Sequence, residues 1–148
     1  MRIISYLNFD GNCRPAMAFY QSVLGGELIT VPYGDTPMAA EMPDMVDKMA
    51  HACLSGDGWT IMASDSPAPN FEPMKGMNIS IHAATADQAR AYFDGLAVGG
   101  TVIMPFAETF WSKGFGLVND KFGTPWMINT EDDNAQGAKP PSLNDMLP

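Results

Sequence analysis

The feature that most constrains this chain of 148 residues is an internal repeat. An aromatic pair at 19–20 recurs 73 residues later, and a glycine pair at 25–26 recurs 74 residues later. Glycines at 58 and 123 precede the last apolar segment of each half. A repeat of this length is one supersecondary unit whose half-buried sheet must be covered by its neighbour. The repeat therefore predicts two similar modules, with a ligand pocket on the concave side between them.

The same order of periodic segments appears in both halves: one strand, one helix and three further strands. In the first half, strands are predicted at 3–9, 28–33, 51–55 and 59–64, and a helix at 15–24. In the second half, strands are predicted at 77–83, 101–106, 115–119 and 126–130, and a helix at 86–98. The sequence therefore predicts an α+β fold of two tandem β-α-β-β-β modules.

Local signals support these elements and bound the modules. Thr85 and Gln88 form a capping box at the start of the second helix. Asp57-Gly58 is a strong hairpin signal. A proline-rich linker at 67–73 separates module 1 (about 1–66) from module 2 (about 76–131), and a polar tail follows at 132–148. The segment at 34–47 is expected to be a loop with one helical turn.

Charge and hydropathy exclude several function classes. The net charge is −9, from 8 basic and 17 acidic residues, which argues against binding to nucleic acid and to anionic membranes. The apolar runs fall well short of the roughly 20 residues that cross a bilayer. The N-terminus turns polar at Asn8 and Asp10, unlike a signal peptide. We therefore expect a cytoplasmic protein.

The two cysteines, Cys13 and Cys53, lie 40 positions apart, so no CxxC motif is present. Two free thiols are expected in a reducing cytosol, and a disulfide between the two cysteines is the alternative. Cys13 would be reactive if it lay in the first turn of a helix, where its pKa would fall. The alternative is a small residue near a helix start.

Several segments resemble the PhnB-like branch of the glyoxalase/bleomycin-resistance/dioxygenase (vicinal oxygen chelate) superfamily. They lie at 6–12, 16–20, 25–27, 51–54, 76–81, 109–111 and 120–128. The resemblance covers roughly residues 3 to 130. It implies a glyoxalase-like fold, in which a curved mixed sheet surrounds a central pocket, and a homodimer. Domains of this branch carry a demethylubiquinone methyltransferase label, but no glycine loop for S-adenosylmethionine follows a strand here.

Members of this superfamily with metal chemistry take one ligand, usually His or Glu, from each of four strands. Carried onto this chain, those places fall on Ser5, Met62 (or Ala63), Asn78 and Met127. None of these is a good ligand for a hard or borderline divalent ion, so no cofactor is predicted. Methionine suits Cu(I), but methionines in the middle of strands are expected to lie in the core.

His51 is the candidate general base, and a structural role in the core is its alternative. His82 is expected to be exposed at the end of a strand. The predicted ligand pocket contains the four residues at the ligand places, together with Trp111 and Trp126. Trp111 is favoured because it lies in a polar, loop-like stretch.

Three functions stay open at this point. The first is a metal-independent protein that binds a small molecule. The second is an enzyme, of the lyase, isomerase or dioxygenase type, that uses His51 or a non-standard metal site. The third is a structural or regulatory dimer with a collapsed pocket.

Overall fold

A computed structural model of the chain describes residues 1–66 and 69–131. The chain divides into two compact units, Met1–Gly76 and a second that begins at Met77. Each unit folds as β-α-β-β-β, which confirms the predicted α+β class and the predicted repeat. The predicted tail at 132–148 and part of the linker lie outside the described residues.

The first unit contains a four-stranded mixed sheet and one α-helix. Its elements are β1 (Ser5–Phe9), α1 (Cys13–Leu24), β2 (Glu27–Pro32), β3 (Met49–Gly56) and β4 (Trp59–Asp65). The strand order is β1-β4-β3-β2, in which β1 runs parallel to β4 and the other pairs are antiparallel. Three short 3-10 turns lie between β2 and β3, where the sequence predicted a loop with one turn.

The second unit repeats this topology. Its elements are β5 (Ile79–Ala83), α2 (Ala86–Ala97), β6 (Thr101–Ala107), β7 (Phe115–Asn119) and β8 (Pro125–Thr130). The order is β5-β8-β7-β6, and β5 runs parallel to β8. Aligning the parallel pairs sets Ser5 opposite Ile61 in the first unit and Ile79 opposite Trp126 in the second. Residues of β1 and β5 are thus equivalent at an offset of 74, and residues of β4 and β8 at an offset of 65.

Each helix packs its apolar stripe onto one face of its own sheet. In α1 the stripe contacts the face that carries Leu7 and Phe9, and the rings of Phe9 and Tyr20 lie 6.5 Å apart. In α2 the stripe is Ala89, Phe93 and Leu96. Side chains alternate between the two faces of a strand, so the opposite face of each sheet has no helix of its own unit against it.

Two tight turns confirm local predictions. Asp57 and Gly58 connect β3 to β4 as a two-residue hairpin. Gly26 follows α1 with φ of +89°, and a Cβ there would lie 2.5 Å from the carbonyl oxygen of Ser55. Only glycine fits this close approach between the end of the helix and β3.

The two helices begin in different ways. At α2, Thr85 accepts a hydrogen bond from the Gln88 amide at 3.2 Å, as predicted, while the Gln88 side chain accepts from the Ala84 amide and not from Thr85. At α1, Asn12 occupies the N-cap position but makes no capping bond with its side chain. The buried carboxylate of Asp65, at the end of β4, instead accepts a hydrogen bond from the Cys13 amide at 2.8 Å.

Candidate functional site

The open face of the first sheet carries a mixed set of polar and apolar side chains. Strand pairing aligns Tyr6 with Met62, Met62 with Cys53, and Cys53 with Ile29, so these four residues form one row across the sheet. His51 lies on the same face of β3, two residues before Cys53. Met62, Cys53 and His51 are half-buried, whereas Tyr6 is 49% exposed. This face therefore offers ligand contacts of several chemical kinds.

His51, the candidate general base, contacts Tyr6. The Tyr6 hydroxyl lies 3.3 Å from His51 Nδ1, and the two ring centroids are 6.0 Å apart. Such a bond orients the imidazole and leaves Nε2 for another partner. The geometry is compatible with a proton-transfer role, and that role stays a prediction.

The open face of the second sheet holds the other histidine. His82 is exposed, as predicted, and its Nε2 lies 2.9 Å from Ser80 Oγ. The Asn129 amide nitrogen lies 3.5 Å from His82 Nδ1. Asn129 Oδ1 is buried and has no hydrogen-bond partner among the residues that the structure describes. A buried acceptor of this kind is costly unless a donor reaches it.

Trp111 lies in an aromatic cluster before β7. Its ring centroid is 4.4 Å from that of Phe110 and 5.4 Å from that of Phe115, both in edge-to-face orientation. Phe115 pairs with Asn129 in the register of β7 and β8, so the aromatic cluster adjoins the residues that contact His82. Trp111 is 48% exposed, which is compatible with ligand contact.

The other predicted pocket residues fall in three different environments. Met127 lies on the open face of the second sheet, opposite Leu117, and Met62 takes the equivalent place in the first sheet. Ser5 is exposed, but it lies on the strand face shared with Leu7 and Phe9. Asn78 is exposed and lies one residue before β5.

Trp126 lies in the core and not at an open face. Its side chain is 0% exposed, and its indole nitrogen donates a hydrogen bond to Asp120 Oδ2 at 2.8 Å. Asp120 Oδ1 also accepts from the amides of Phe122 and Thr124. We therefore assign Trp126 to the core, because full burial leaves no surface for a ligand to contact.

The superfamily's divalent-metal chemistry needs His or carboxylate ligands, and the residues here do not fit it. No group of three His, Cys, Asp or Glu side chains that could hold a metal ion occurs within residues 1–66 and 69–131. On the open face of the first sheet, the parallel pair β1 and β4 places Tyr6 beside Met62. On the second sheet, β5 and β8 place Ser80 beside Met127. Neutral hydroxyls and thioethers are weak ligands for hard divalent ions.

Cys13 is the first residue of α1, the position where a helix N-terminus would lower the pKa of a thiol. The opposite occurs. Burial, reinforced by the Asp65 carboxylate, raises the pKa of the Cys13 thiol to about 12, although Arg14 opposes this shift. Both cysteines are free, and Cys53 is the more accessible one. Of the two interpretations that the sequence allowed, Cys13 is therefore the small residue near a helix start and not a reactive thiol.

Sequence reasoning missed two features of the open faces that bear on the candidate site. The opposition of Cys53 and Met62 follows from the two-residue turn at Asp57-Gly58, so the hairpin signal already contained it. The group of Ser80, His82 and Asn129 depends on the parallel pairing of β5 with β8, which no local sequence signal specifies.

Comparisons with known proteins agree with this fold. The family model of 3-demethylubiquinone-9 3-methyltransferase matches residues 1–129. Protein YjdN of Escherichia coli (strain K12) is 37% identical over 141 residues, which cover 87% of this chain and 95% of that protein. No helix among the described residues has the length and apolar character that a membrane span requires.

Solved structures give the same result. Protein PA1353 from Pseudomonas aeruginosa is 43% identical with a TM-score of 0.83, covering 90% of this chain and 99% of that chain. The putative 3-demethylubiquinone-9 3-methyltransferase, PhnB protein, from Bacillus cereus is 28% identical with a TM-score of 0.73, covering 88% and 99%. At the level of fold alone, a glyoxalase/bleomycin resistance protein/dioxygenase from Nocardioides matches at 17% identity and a TM-score of 0.58, covering 97% and 90%. This chain therefore belongs to the 3-demethylubiquinone-9 3-methyltransferase family, with the PhnB protein from Bacillus cereus among its similar structures, and it shares its fold with glyoxalase/bleomycin resistance/dioxygenase proteins.

Proposed function

We propose that this protein binds a small molecule without a divalent metal ion, and that the ligand contacts the open faces of the sheets. The observation that carries this proposal is the composition of those faces. Each helix covers one face of its own sheet, and the other face presents half-buried methionine and aromatic side chains beside hydrogen-bonding groups. Methionine and aromatic side chains adapt to apolar ligands, and a few polar groups fix orientation.

The polar groups indicate what the ligand presents. Asn129 is half-buried on the open face and its Oδ1 has no partner in the described part of the chain, so a side-chain rotation that exposed Oδ1 would let it accept a hydrogen bond from a ligand N–H or O–H. The acidic net charge of −9 disfavours an anionic ligand, and no basic cluster in the sequence would bind a phosphonate. A neutral or cationic molecule with an apolar body and a hydrogen-bond donor fits best.

Methyl transfer is not part of this proposal, despite the family's description. The turn from β1 into α1 is Asp10-Gly11-Asn12, which contains a single glycine. It does not form the glycine-rich loop after a strand that binding of S-adenosylmethionine would call for.

Methyl NMR on methionine can test the proposal, because the chain places its methionines in contrasting environments. Met62 and Met127 lie on the open faces, while Met17 and Met49 are fully buried and serve as internal controls. Chelator-treated protein labelled at the methionine methyls would be titrated with neutral and cationic aromatic fragments. We expect fragments to shift the signal of Met62 or Met127 and to leave those of Met17 and Met49 in place.

The contrary results are equally specific. Fragment binding that appears only after a divalent ion is added would contradict metal independence. Shifts confined to Met17 and Met49, or none across the fragment set, would contradict binding at the open faces.

An enzyme that uses His51 as a general base is the second candidate, and the contact with Tyr6 favours it. This contact fixes the imidazole while Nε2 stays available to a substrate proton. If a ligand found by NMR is also converted, His51→Ala should abolish the conversion and retain binding within about threefold, since a base contributes roughly 10²–10⁴-fold to rate. Conversion that survives in His51→Ala would exclude this role.

We further propose a homodimer in the cytoplasm, with β6 at the interface. This edge strand exposes Val102, Ile103 and Met104, and Ile103 is 56% exposed. Exposed apolar edges favour association with another chain. Light scattering should show a dimer that Ile103→Lys converts to a monomer, whereas a monomeric wild type would contradict the proposal.

A further inference from the structure

Three soft or borderline donors lie together on the open face of the first sheet. Cys53 stands directly opposite Met62 in the antiparallel pairing of β3 with β4. His51 precedes Cys53 by two residues and therefore points to the same side of the sheet. All three side chains are half-buried, so they are accessible to a small ion and partly shielded from water.

The register allows these donors to reach a common point. Directly opposed residues have Cβ atoms about 4.5–5.5 Å apart, and diagonal neighbours are about 7–8 Å apart. The side chains of His and Met are long enough to span the diagonal, and Cys53 adjoins both, opposite Met62 and two residues after His51. A thiolate, a thioether and an imidazole are the donor set that selects Cu(I) over harder ions.

The contact between Tyr6 and His51 provides the supporting interaction that such a site needs. Metal-binding histidines nearly always use their second ring nitrogen in a hydrogen bond to an oxygen atom. Here the Tyr6 hydroxyl engages Nδ1 at 3.3 Å, which leaves Nε2 as the nitrogen for a metal.

We propose that Cys53, Met62 and His51 bind one Cu(I) ion. On binding, the Cys53 thiol loses its proton to solvent and the resulting thiolate forms the Cu–S bond, with no change in the oxidation state of copper. Cys13 takes no part, because it is fully buried and its thiol keeps its proton. The site shares the open face of the first sheet with the proposed small-molecule function, but its test uses Cu(I) alone, so either proposal can fail without the other.

The second unit supplies a natural control. Its residues Phe115, Leu117 and Met127 take the places of His51, Cys53 and Met62 in the same pairing. Only the thioether remains there, and one thioether is insufficient for tight binding. Met127→Leu is therefore the matched control for Met62→Leu.

The test is anaerobic titration of the purified chain with Cu(I) in competition with bicinchoninate. Wild-type protein should bind one Cu(I) per chain in this competition. Cys53→Ser should abolish this binding, and Met62→Leu and His51→Phe should each weaken it by more than about tenfold, since even supporting residues cost 10–100-fold. Tyr6→Phe should weaken it by about tenfold. Met127→Leu should leave the affinity within about twofold of wild type.

Two results would overturn the proposal. Wild-type protein that fails to compete with bicinchoninate has no such site. Equal affinities of Met62→Leu, His51→Phe and Met127→Leu would show that Cys53 acts as a single thiol. Thermal unfolding of each metal-free variant establishes whether it is folded, and Met62→Leu and Met127→Leu should melt alike because their positions in the sheets are equivalent.

Discussion

The two units share one topology but use different hydrogen bonds to hold their helices and hairpins in place. In the first unit, Asp65 at the end of β4 accepts hydrogen bonds from the amides of Cys13 and Met49, joining α1, β3 and β4. In the second unit, the equivalent residue is Thr130, whose hydroxyl bonds to Ser112. The start of α2 is capped locally by Thr85 instead.

The hairpins show the reverse arrangement. In the first unit, the two-residue turn Asp57-Gly58 connects β3 to β4. A turn this short does not need a side chain to hold its backbone in place. The second unit uses a longer loop, and the buried Asp120 arranges it through the amides of Phe122 and Thr124 and the indole of Trp126. Each unit thus relies on one buried aspartate, but at opposite ends of its last strand.

Replacing Asp65 should produce the largest loss of stability. Asp65→Ala leaves two buried backbone amides without their acceptor, and hydrogen bonds to charged groups contribute about 1.5–3 kcal/mol each, so we expect a loss of about 4 kcal/mol. Urea unfolding of Asp65→Ala and of Thr130→Ala, at the equivalent position, measures the difference. A cost no greater than that of Thr130→Ala would contradict the bridging role. Asp65→Asn should fall between the two.

Replacing Asp120 should cost about 2 kcal/mol, because two of its three bonds are to amides of the loop itself, which can partly relax. Asp57→Ala, in the other hairpin, is the matched control and should change the unfolding free energy by less than about 0.5 kcal/mol. Near-ultraviolet circular dichroism should also change in Asp120→Ala, since Trp126 loses the acceptor for its indole. Equal effects of the two substitutions would contradict the contrast between the hairpins.

The helix caps should differ by a smaller amount. Thr85→Ala removes a capping hydroxyl and should cost about 1 kcal/mol, whereas Asn12→Ala should cost less than about 0.5 kcal/mol because Asn12 makes no capping bond with its side chain. Thermal or urea unfolding of the two variants settles the order. A larger cost at Asn12 would show that α1 relies on a local cap.

The smallest effect at neutral pH concerns Cys13, which corresponds to Ala86 in the second unit. The thiol's pKa is raised from 9.0 to about 12 by burial and by Asp65. Above about pH 9 the unfolded chain loses this proton while the folded chain keeps it, so stability falls as the pH rises towards about 12. Cys13→Ala should reduce this alkaline decline, as measured by urea unfolding at several pH values. An unchanged slope would contradict the raised pKa.

Much of the fold was predictable, because the repeat is visible along the sequence and because the glycine pairs and the Asp57-Gly58 turn are local signals. The face of β1 was predictable too, since alternation along a strand puts Ser5 on the same side as Leu7 and Phe9. Placing Ser5 at a ligand site by resemblance conflicts with that alternation. Position in a related fold does not fix the direction of a side chain.

The contacts that organise each unit were not predictable. The role of Asp65 depends on a carboxylate that lies 52 residues from the amide it caps. The buried indole of Trp126 donates its hydrogen bond to Asp120, which lies in a segment that the sequence identifies only as a turn. Met62 was predicted for the pocket by resemblance and for the core as a mid-strand methionine, and only the pairing with β3 places it on the open face beside Cys53. Such contacts depend on strand pairing, which periodicity does not encode.

Metal analysis combined with ligand titration tests the central claim most directly. Protein purified without chelator would be analysed for divalent metals and then titrated with common divalent ions while the methyl signals of Met62 and Met127 are followed. We expect no stoichiometric divalent metal, and the same fragment affinity with and without added ions. A stoichiometric divalent metal, or an affinity that tightens when an ion is added, would contradict metal-independent binding and make His51 the first ligand to test.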